Sequence, residues 1–392
     1  MHLLYMRILL TSTQSPGNGG AATNVYKLHK YFLNNYKEKD IKVYCVFFLC
    51  NKEDLNNITI NPDDLENVSY IRCFWKDGRL LDYDKGTNKY IEYTEEYKEK
   101  FKQNIIDSLG GEPDIVLAKN YRAPVTSKIL FSKSKIYYLV SGVYYLSILN
   151  NYLDEKISGQ TILNKFEYYN NILYLLKNKN IPSFSNIKQE TETIKLVDGV
   201  IFNSKLTTKL MKLYYKDIIK DYKIINTSLL KRINNKCDDF NTRKYDIIFV
   251  CSNFNRKIKN CKFVKDLFLK EELSKYNKIV IGDGDLFEDK EIKNITILKQ
   301  QSNKVVLEKM KESKLLLLPS LFDSSPNTIY EALDSGCNIV TSKNTGNWEL
   351  FNSKSVCNDI YNKDEWINKI LINVEEKVIN NIEFENTIIS LI

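Results

Sequence analysis

The chain has 392 residues, of which 43% are hydrophobic and 27% are charged, so it is long enough for two or three domains of ordinary globular composition. Its formal net charge of +8 favours anionic partners, but no basic run is interleaved with aromatic residues, so we expect no nucleic-acid partner. No apolar stretch approaches the ~18 residues that a membrane-spanning helix needs. The eight cysteines form no C-x-x-C pair and are expected to be buried, reduced thiols of a cytoplasmic protein.

Strand-like and helix-like segments alternate in the first half of the chain, which predicts a parallel sheet with right-handed crossovers. The predicted strands are residues 7–12, 41–50, 114–118 and 136–140. The first predicted helix begins near Ala22. The other predicted helices cover residues 90–109, 146–186 with a loop around Pro182, and 207–223.

Glycines cluster in the loop after the first predicted strand, at Gly17, Gly19 and Gly20. Glycine is scarce in this chain, because 14 glycines in 392 residues is about half of the usual ~7%. The cluster therefore indicates either a plain turn or a place where backbone N–H groups approach a ligand. Its spacing does not fit G-x-G-x-x-G, which argues against a nicotinamide-dependent dehydrogenase.

Polar loops follow the third and fourth predicted strands. They carry Asn120 and Arg122 after the third strand, and Ser141 and Gly142 after the fourth. Parallel α/β sheets bind ligands at the carboxyl ends of their strands. These residues are therefore candidate contacts for a substrate of the first domain.

A polar stretch between Leu229 and Arg243 separates this half from a second alternating pattern. Its second strand is expected to exit through the tight turn Gly282-Asp283-Gly284. The predicted strands of the second half are residues 245–252, 277–281, 295–298, 315–318 and 338–341. The predicted helices are residues 261–269, 304–310, a helix from Asn327, and 364–379.

The loop after the first strand of the second half carries Arg256, Lys257 and Lys259. Three cations at the carboxyl end of such a strand suit a diphosphate leaving group, whose developing charge they would offset. A basic loop exposed to solvent is the alternative explanation.

The strand at residues 315–318 leads into a predicted anion-binding helix. Ser325 is expected to cap this helix and Pro326 to occupy its first position. Gly336 is expected to end it in the left-handed conformation. Free backbone N–H groups and the helix dipole at such an N-terminus favour phosphate.

Two carboxylates bracket the start of this helix, Asp323 before it and Glu331 inside it, eight positions apart. A carboxylate cannot neutralise a phosphate, but it accepts hydrogen bonds from hydroxyls, in which sugars and ribose are rich. The pattern indicates a sugar-nucleotide site. An acidic capping loop in an ordinary α/β domain is the alternative.

Residues 323–331 read D-S-S-P-N-T-I-Y-E and continue as A-L-D-S-G-C-N-I-V. This run resembles the signature of the retaining glycosyltransferases of the GT-B fold, in particular the large family 4 group. In that signature two Glu are separated by seven residues, and the second Glu opens the run E-A-x-A-x-G-x-P-V-V. Asp323 stands where the family has its first Glu, and Asn338 where it usually has Pro.

The resemblance implies an α/β fold of two Rossmann-like domains that face each other across a cleft. The N-terminal, acceptor-side domain would cover residues 1–230, and the C-terminal, nucleotide-sugar-binding domain residues 243–362. Residues 363–392 would form C-terminal helices that cross back to the N-terminal domain. The acceptor-side residues would be Asn120, Arg122, Ser141 and Gly142.

The resemblance also implies roles for the predicted catalytic set. Lys259 and Arg256 would bind the donor diphosphate, while Glu331 would hold the ribose hydroxyls. Asp323 would hold the donor sugar. Lys259 and Asn260 match the family's Lys-Gly pair, whereas Arg256 lies three positions before the lysine where the family has five. The remaining donor-binding residues would be Gly19, Gly20, Gly282, Ser325, Asn327 and Thr328.

The residue inventory argues against histidine and metal chemistry. His2 and His29 are the only histidines of the chain, which excludes Ser-His hydrolysis and zinc sites. The triplets Asp82-Tyr83-Asp84 and Asp283-Gly284-Asp285 could hold a divalent metal, but such short acidic triplets occur by chance. We predict metal-independent transfer without a cofactor, with a nucleoside diphosphate-sugar as the donor substrate.

The leading hypothesis is a retaining glycosyltransferase that moves a sugar from a nucleoside diphosphate donor to a hydroxyl group of a glycan, lipid-linked or protein-linked acceptor. A GT-B phosphorylase or a sugar-nucleotide epimerase would share the phosphate loops. A non-catalytic protein that binds a nucleotide-sugar would share the fold, and Asp323 and Ser141 would then mark a degenerate site.

The predicted helix at residues 207–223 is the most basic of the chain and carries its lysines on one face, namely Lys209, Lys212, Lys216 and Lys220. A solvated helix face explains this pattern. Peripheral contact with an anionic membrane that carries a lipid-linked acceptor is the alternative. We expect a cytoplasmic protein, with any membrane contact peripheral.

Overall fold

The computed structural model describes residues 6–13, 20–36, 41–49, 68–72, 74–76, 79–84, 89–92, 94–226, 239–288 and 290–379. Contacts divide the chain into two units. The first unit consists of Met1–Ser141, Pro182–Asn203 and Tyr214–Leu230, and the second of Gly142–Ile181, Ser204–Leu213 and Lys231–Ile392. Two of these segments, 142–181 and 204–213, group with the second unit although the sequence predicts them in the N-terminal domain. Most of the predicted boundary, at 227–238, lies outside the described residues.

A parallel sheet forms the centre of the first unit. The strands of this unit are β1 (Met6–Ser12), β2 (Ile41–Leu49), β3 (Val68–Arg72), β4 (Phe74–Lys76), β5 (Arg79–Asp84), β6 (Lys89–Glu92), β7 (Ile115–Lys119), β8 (Lys135–Leu139), β9 (Gly199–Phe202) and β10 (Tyr222–Ile224). The parallel sheet has the order β10-β9-β8-β7-β1-β2-β3, and β4, β5 and β6 form a small antiparallel sheet. The order reverses between β1 and β7, so a ligand crevice is expected at their carboxyl ends.

The second unit is built on another parallel sheet. Its strands are β11 (Tyr245–Asn253), β12 (Lys278–Asp283), β13 (Ile295–Leu298), β14 (Ser313–Leu318), β15 (Asn338–Ser342) and β16 (Val356–Cys357). The order is β13-β12-β11-β14-β15-β16, which is that of a Rossmann domain. It reverses between β11 and β14, which places the expected ligand crevice at the carboxyl ends of these two strands.

Helices cover the sheets, and the apolar faces between helices and strands form the cores. The helices are α1 (Gly20–Tyr36), α2 (Glu95–Leu109), α3 (Arg122–Leu130), α4 (Tyr144–Tyr152), α5 (Gly159–Lys177), α6 (Ser183–Leu196), α7 (Lys205–Tyr215), α8 (Cys261–Phe268), α9 (Asn303–Lys311), α10 (Asn327–Asp334) and α11 (Lys363–Glu375). In the first unit Leu9, Val46 and Val116 pack in one apolar cluster with Leu109 and Phe131. None of the helices in the described ranges is both long and apolar enough to cross a membrane.

The architecture confirms the predicted α/β fold with two Rossmann-like domains. The run at 315–317 illustrates why the prediction succeeds, because these three leucines are 0% exposed inside a strand that is covered on both faces. The buried cysteines also fit the prediction: Cys45 lies in β2 and Cys251 in β11, and both are free thiols. Cys50 lies outside the described residues.

Two predicted helices are shorter than expected because strands occupy part of their length. The prediction of a helix over 90–109 is wrong at its start, where residues 90–92 belong to β6 and Thr94 then caps α2 by accepting a hydrogen bond from the Tyr97 N–H at 3.2 Å. The basic helix predicted over 207–223 ends at Tyr215, and Tyr222–Ile224 pairs with β9 as an edge strand. Tertiary pairing thus overrides a helical periodicity.

Two further expectations about helices can be compared with the structure. The helical segment predicted over 146–186 has the predicted loop around Pro182, between α5 and α6, but also a second break at residues 153–158, where Ser158 caps α5 by accepting from the Thr161 N–H at 3.1 Å. In α11, Trp366 and Ile370, both 0% exposed, belong to the core of the second unit, and a crossing of residues 363–392 to the first domain stays a prediction. Residues 380–392, the rest of the predicted crossing segment, lie outside the described residues.

Candidate functional site

Lys259 and Asp323 meet at the point in the second unit where the strand order reverses. Lys259 lies in the loop after β11, and Asp323 in the loop after β14. The Lys259 Nζ donates to Asp323 Oδ2 at 2.5 Å, and the two side chains are 18% and 17% exposed. The structure therefore brings together the two residues that the sequence assigns to diphosphate and sugar, although they are 64 positions apart.

A short turn positions Lys259. Residues Lys257–Lys259 form one turn of 3-10 helix, and the Lys259 N–H donates to the Arg256 carbonyl at 3.0 Å. Asn260 then takes a left-handed conformation, with φ of 56°, which asparagine tolerates, and α8 starts at the next residue. The Leu321 N–H donates to the Ile258 carbonyl at 2.8 Å, so the backbone itself connects the loops after β11 and β14.

The loop after β15 holds the backbone of Asp323 in place. The Asp323 N–H donates to the Asn344 carbonyl at 3.1 Å, and the Gly346 N–H donates to the Asp323 carbonyl at 2.7 Å. A Cβ atom at residue 346 would lie 1.8 Å from the Ser324 carbonyl oxygen, so only glycine fits there. Gly346 is a positioning residue that the sequence prediction missed, although the scarcity of glycine in this chain was a signal for it.

The start of α10 differs by one position from the prediction. Pro326, with extended backbone and no side-chain cap, is the N-cap residue, so the prediction of Ser325 as the cap is wrong. Ser325, the residue before it, is buried, at 8% exposure. Asn327 and Thr328 form the first turn, and Gly336 has φ of 74° just beyond the helix end, as predicted.

Glu331 lies on the second turn of α10 and is half-buried. Asn303, the first residue of α9, donates from Nδ2 to Glu331 Oε1 at 3.3 Å. The carboxylate is therefore oriented by an amide at the start of a neighbouring helix. Asn303 is a second residue that the sequence did not reveal, because contact between two helices cannot be read from a single loop.

Arg256 is exposed, and its Nη1 lies 3.4 Å from Ser252 Oγ. It lines a cavity of about 330 Å³ in the second unit, whose charged lining residues are Lys156, Lys257, Lys262, Asp154 and Glu155. Asn260 lines the same cavity, and its Nδ2 is a buried donor without a hydrogen-bond partner in the part of the chain that the structure describes. A cation-rich cavity with an unused donor is suited to an acidic, oxygen-rich group.

A pair of thiols lies beneath this loop. The pKa of Cys251 is lowered to about 6, mainly by a hydrogen bond from Cys261, while burial acts in the opposite direction. A hydrogen bond from the backbone at Asn253 and the charges of Lys259 and Arg256 also lower it. The charges of Lys259 and Arg256 thus act on Cys251 in the same direction as the Cys261 hydrogen bond, but they contribute less than it does.

Gly282, a predicted donor-binding residue, lies inside β12. A Cβ atom there would be 1.9 Å from the Cys251 carbonyl oxygen, so the close approach of β11 and β12 requires glycine. The register between these strands shifts between Val250 and Asn253, next to this contact. The structure gives Gly282 a packing role, and a donor contact is not needed to explain it.

The predicted acceptor-side residues form part of a polar row at the carboxyl edge of the first sheet. Ser141 Oγ donates to Asn120 Oδ1 at 2.6 Å, and Asn120 Nδ2 donates to Thr13 Oγ1 at 3.3 Å. Arg122 begins α3 and lies 5.5 Å from the Tyr121 ring. Gly142 starts a segment of the second unit.

The glycine loop after β1 is only partly described. Gly17 and Gly19 lie outside the described residues, and Gly20 is the first residue of α1. The backbone of Gly20 is thus at a helix N-terminus, and its contact with a phosphate stays a prediction.

The acidic triplets lie on strands and strand ends. Residues 82–84 belong to β5, and Asp283 at the end of β12 accepts a hydrogen bond from the Gln300 N–H at 3.1 Å. No group of three or more metal-ligating side chains occurs among the residues with described positions. Metal-independent transfer remains a prediction.

Comparison with known proteins gives one family match. Residues 234–383 match the family described as glycosyl transferases group 1. The matched range contains Lys259, Asp323 and Glu331 and covers most of the second unit. No curated protein matches the chain. The match supports the glycosyltransferase superfamily for this part of the chain.

Solved structures show the same fold over nearly the whole chain. A mutant of S. aureus TarM, in complex with fondaparinux, alpha-GlcNAc-glycerol and UDP, is 11% identical with a TM-score of 0.59, over 95% of this chain and 93% of that chain. Sucrose-phosphate synthase from Thermosynechococcus elongatus is 10% identical with a TM-score of 0.58, over 95% and 90%. Starch synthase IV from Arabidopsis thaliana, bound to ADP and acarbose, is 10% identical with a TM-score of 0.55, over 97% and 96%. These likenesses show the GT-B type of fold.

Proposed function

We propose that this protein is a retaining, metal-independent glycosyltransferase that moves a sugar from a nucleoside diphosphate donor to a hydroxyl acceptor. The observation that carries the proposal is the contact between Lys259 and Asp323 at the carboxyl ends of β11 and β14. One group is suited to a diphosphate and the other to sugar hydroxyls. The family match over the same residues supports this assignment.

In the structure these two groups neutralise each other. A donor would replace this pair by two better-matched contacts, phosphate oxygens on the Lys259 ammonium and sugar hydroxyls on the Asp323 carboxylate. Glu331, held by Asn303, would accept hydrogen bonds from the ribose hydroxyls. The backbone N–H groups at the start of α10 and the side chain of Arg256 would add to the phosphate contacts.

Charge stabilisation would supply most of the catalysis. When the bond between the anomeric carbon and the diphosphate oxygen breaks, its electron pair remains on the diphosphate. The ammonium of Lys259 is fixed by its turn and so can stabilise that charge without reorganisation. Fixed positions of donor and acceptor supply the remainder. The acceptor oxygen would bond to the anomeric carbon and its hydroxyl proton would pass to the departing diphosphate oxygen, so no dedicated base is required.

The acceptor would be recognised by the polar row of the first unit, with Asn120, Arg122 and Ser141 as contacts. Carbohydrate or glycerol-type acceptors are consistent with the compounds bound by the solved structures of the same fold. Peripheral membrane contact would apply if the acceptor is lipid-linked, and lysines on α7 would then face anionic lipid.

Transfer assays with Lys259→Ala test the proposal. The chain offers a matched control, Lys314, which forms an ion pair with Asp246 at 2.8 Å between the same two strands. That pair is buried to a similar degree, with side chains 19% and 15% exposed, but lies at the amino ends of the strands. Lys259→Ala should abolish turnover, and Lys314→Ala should retain it.

Proton NMR of the product should show the anomeric configuration of the donor. Normal turnover in Lys259→Ala, or an inverted product, would contradict the corresponding part of the proposal.

A further inference from the structure

Among the residues that the structure describes, Lys119, the last residue of β7, is a buried cation without a counter-charge. It is 4% exposed, and its Nζ donates to the Val140 carbonyl at 3.1 Å. Burial lowers its pKa to about 8, and no neighbouring charge contributes to this shift. No carboxylate of the described residues forms an ion pair with it. An ammonium has three N–H donors, so one carbonyl leaves most of its hydrogen-bonding capacity unused.

A second buried lysine shows what a purely structural lysine looks like in this chain. Lys278 is 0% exposed, and its Nζ donates to the Tyr276 and Lys293 carbonyls at 2.8 and 3.0 Å. Its Nζ also lies 6.0 Å from the centre of the Phe268 ring. Lys278 is the first residue of β12 and so lies at the amino edge of its sheet, away from the ligand-binding edge. The Lys119 Nζ donates to one carbonyl where the Lys278 Nζ donates to two, and Lys119 lies at the carboxyl edge of its sheet.

The register of the first sheet places Lys119 at the crevice expected from strand order. Lys119 is paired with Ser12 of β1 and with Leu139 of β8, so it lies at the carboxyl edge where the order reverses. The next residue, Asn120, belongs to the polar row with Ser141. The ammonium itself donates to the Val140 carbonyl, and Val140 directly precedes Ser141, so the charge lies next to the segment of a predicted acceptor contact.

We propose that Lys119 binds an anionic group of the acceptor, a phosphate or a carboxylate, at the carboxyl edge of the first sheet. The proposal rests on the proposed function, because it names the chemistry of the acceptor. A buried charge without a partner is costly, and a bound anion removes that cost by supplying both the counter-charge and the missing hydrogen-bond acceptors. The neighbouring amide and hydroxyl groups of Asn120 and Ser141 would contact the uncharged part of the same molecule.

Isothermal titration calorimetry on the full chain tests this with two pairs of probes near neutral pH. Glycerol 1-phosphate is compared with glycerol, and glucuronate with glucose, so the two sources of negative charge are separated. One anionic probe should bind about ten-fold or more tightly than its neutral partner. Lys119→Met should remove that preference, and Lys119→Arg, which keeps the charge, should retain part of it. Equal binding of charged and neutral probes, or an unchanged preference in Lys119→Met, would overturn the proposal.

Two other variants show where the anion binds. Lys278→Met, matched in burial, should keep the anion preference, and so should Lys259→Ala, which alters the donor loop. Loss of the preference in Lys259→Ala would assign the anion to the donor loop and overturn the proposal. Lys119→Met should still be stabilised by the nucleotide-sugar that stabilises the wild type. Absence of any nucleotide-sugar binding in the wild type would instead contradict the proposed function, so the two failures are distinguishable.

A measurement on the wild type keeps the test valid if every variant at residue 119 fails to fold. Burial lowers the pKa of Lys119 to about 8, so part of the Lys119 side chains are neutral at alkaline pH, and anion binding there should be accompanied by the uptake of a fractional number of protons. Calorimetry in two buffers of different ionisation enthalpy measures this number. The neutral probes should take up none. Binding of an anionic probe without proton uptake would overturn the proposal.

Discussion

Lys259 and Asp323 form an ion pair at the carboxyl ends of β11 and β14, with 2.5 Å between Nζ and Oδ2. Lys314 and Asp246 form another pair between the same two strands at their amino ends. Ligands of parallel α/β sheets bind at the carboxyl ends, so the first pair is expected to be functional and the second structural. This comparison allows function and stability to be separated by mutation within one unit.

The two ion pairs should respond differently in double-mutant cycles. For Lys259→Ala, Asp323→Asn and the double variant, we expect a coupling of about 0.5–3 kcal/mol in the free energy of unfolding, because each single change leaves a half-buried partner without its counter-charge. Urea unfolding measures it. Lys314→Ala and Asp246→Asn should show a similar coupling in stability but no change in nucleotide-sugar affinity. If the substitutions at Lys259 and Asp323 changed the nucleotide-sugar affinity no more than those at Lys314 and Asp246, the functional assignment of Lys259 would be contradicted.

Glu331→Gln should weaken binding of the nucleotide part of the donor. Loss of a charged hydrogen-bond acceptor for ribose hydroxyls is expected to raise the Kd of the nucleoside diphosphate about ten-fold or more. Asn303→Ala should have a smaller effect in the same direction, since Asn303 only orients the carboxylate. Calorimetric titration with the nucleotide measures both. Undiminished affinity in Glu331→Gln would remove this residue from the donor site.

Glu190 should make stability depend on pH. Burial raises its pKa from 4.5 to about 7, although hydrogen bonds from Tyr138, at 2.7 Å, and from Tyr215 act in the opposite direction. The raised folded pKa means that its contribution to stability is fully present below about pH 4.5 and is lost as the pH rises through about 7. The loss is on the order of 3 kcal/mol.

Urea unfolding measures the effect. The free energy of unfolding of the wild type and of Glu190→Gln is compared at the acidic and the alkaline end of this pH range. Glu190→Gln should remove most of the decline in the free energy of unfolding between the two ends. Glu192→Gln is the matched control, because Glu192 lies on the same helix with a side chain 62% exposed and should leave the decline unchanged. A decline of equal size in Glu190→Gln would show that another group causes it.

The parts of the fold that the sequence predicts are those fixed by local patterns. The leucines at 315–317 are buried on both faces of a strand, and Gly336 has the left-handed conformation that ends α10. Such features depend on hydrophobic runs and on glycine, which a single sequence displays directly. The loop that carries Lys259 was placed correctly for the same reason, since it follows an apolar strand.

The remaining features depend on contacts between distant segments. Periodicity extends the predicted helix over Tyr222, but this residue pairs with Val200 in an edge strand. Gly346 is required by the Ser324 carbonyl, and Lys119 is buried by strands on either side of β7. Local propensity carries no information about such contacts, and the site depends on them more than the rest of the fold does.

Chelation should leave the activity intact. The proposed charge stabilisation uses the Lys259 ammonium and the start of α10, so we expect transfer to proceed without a divalent cation. Activity is compared before and after treatment with excess EDTA, with re-addition of Mg²⁺ or Mn²⁺ as the control. Complete loss that is restored by the metal would contradict metal-independent transfer.

A thermal-shift screen against UDP-, GDP-, ADP- and dTDP-sugars tests the central claim most directly, because a ligand far above its Kd stabilises the folded protein. The wild type should be stabilised by one nucleotide class, and Lys314→Ala should respond in the same way. Lys259→Ala should lose most of that shift at the same ligand concentration. No shift with any nucleotide-sugar, or the same shift in Lys259→Ala, would contradict the assignment of the loops after β11 and β14 to the donor.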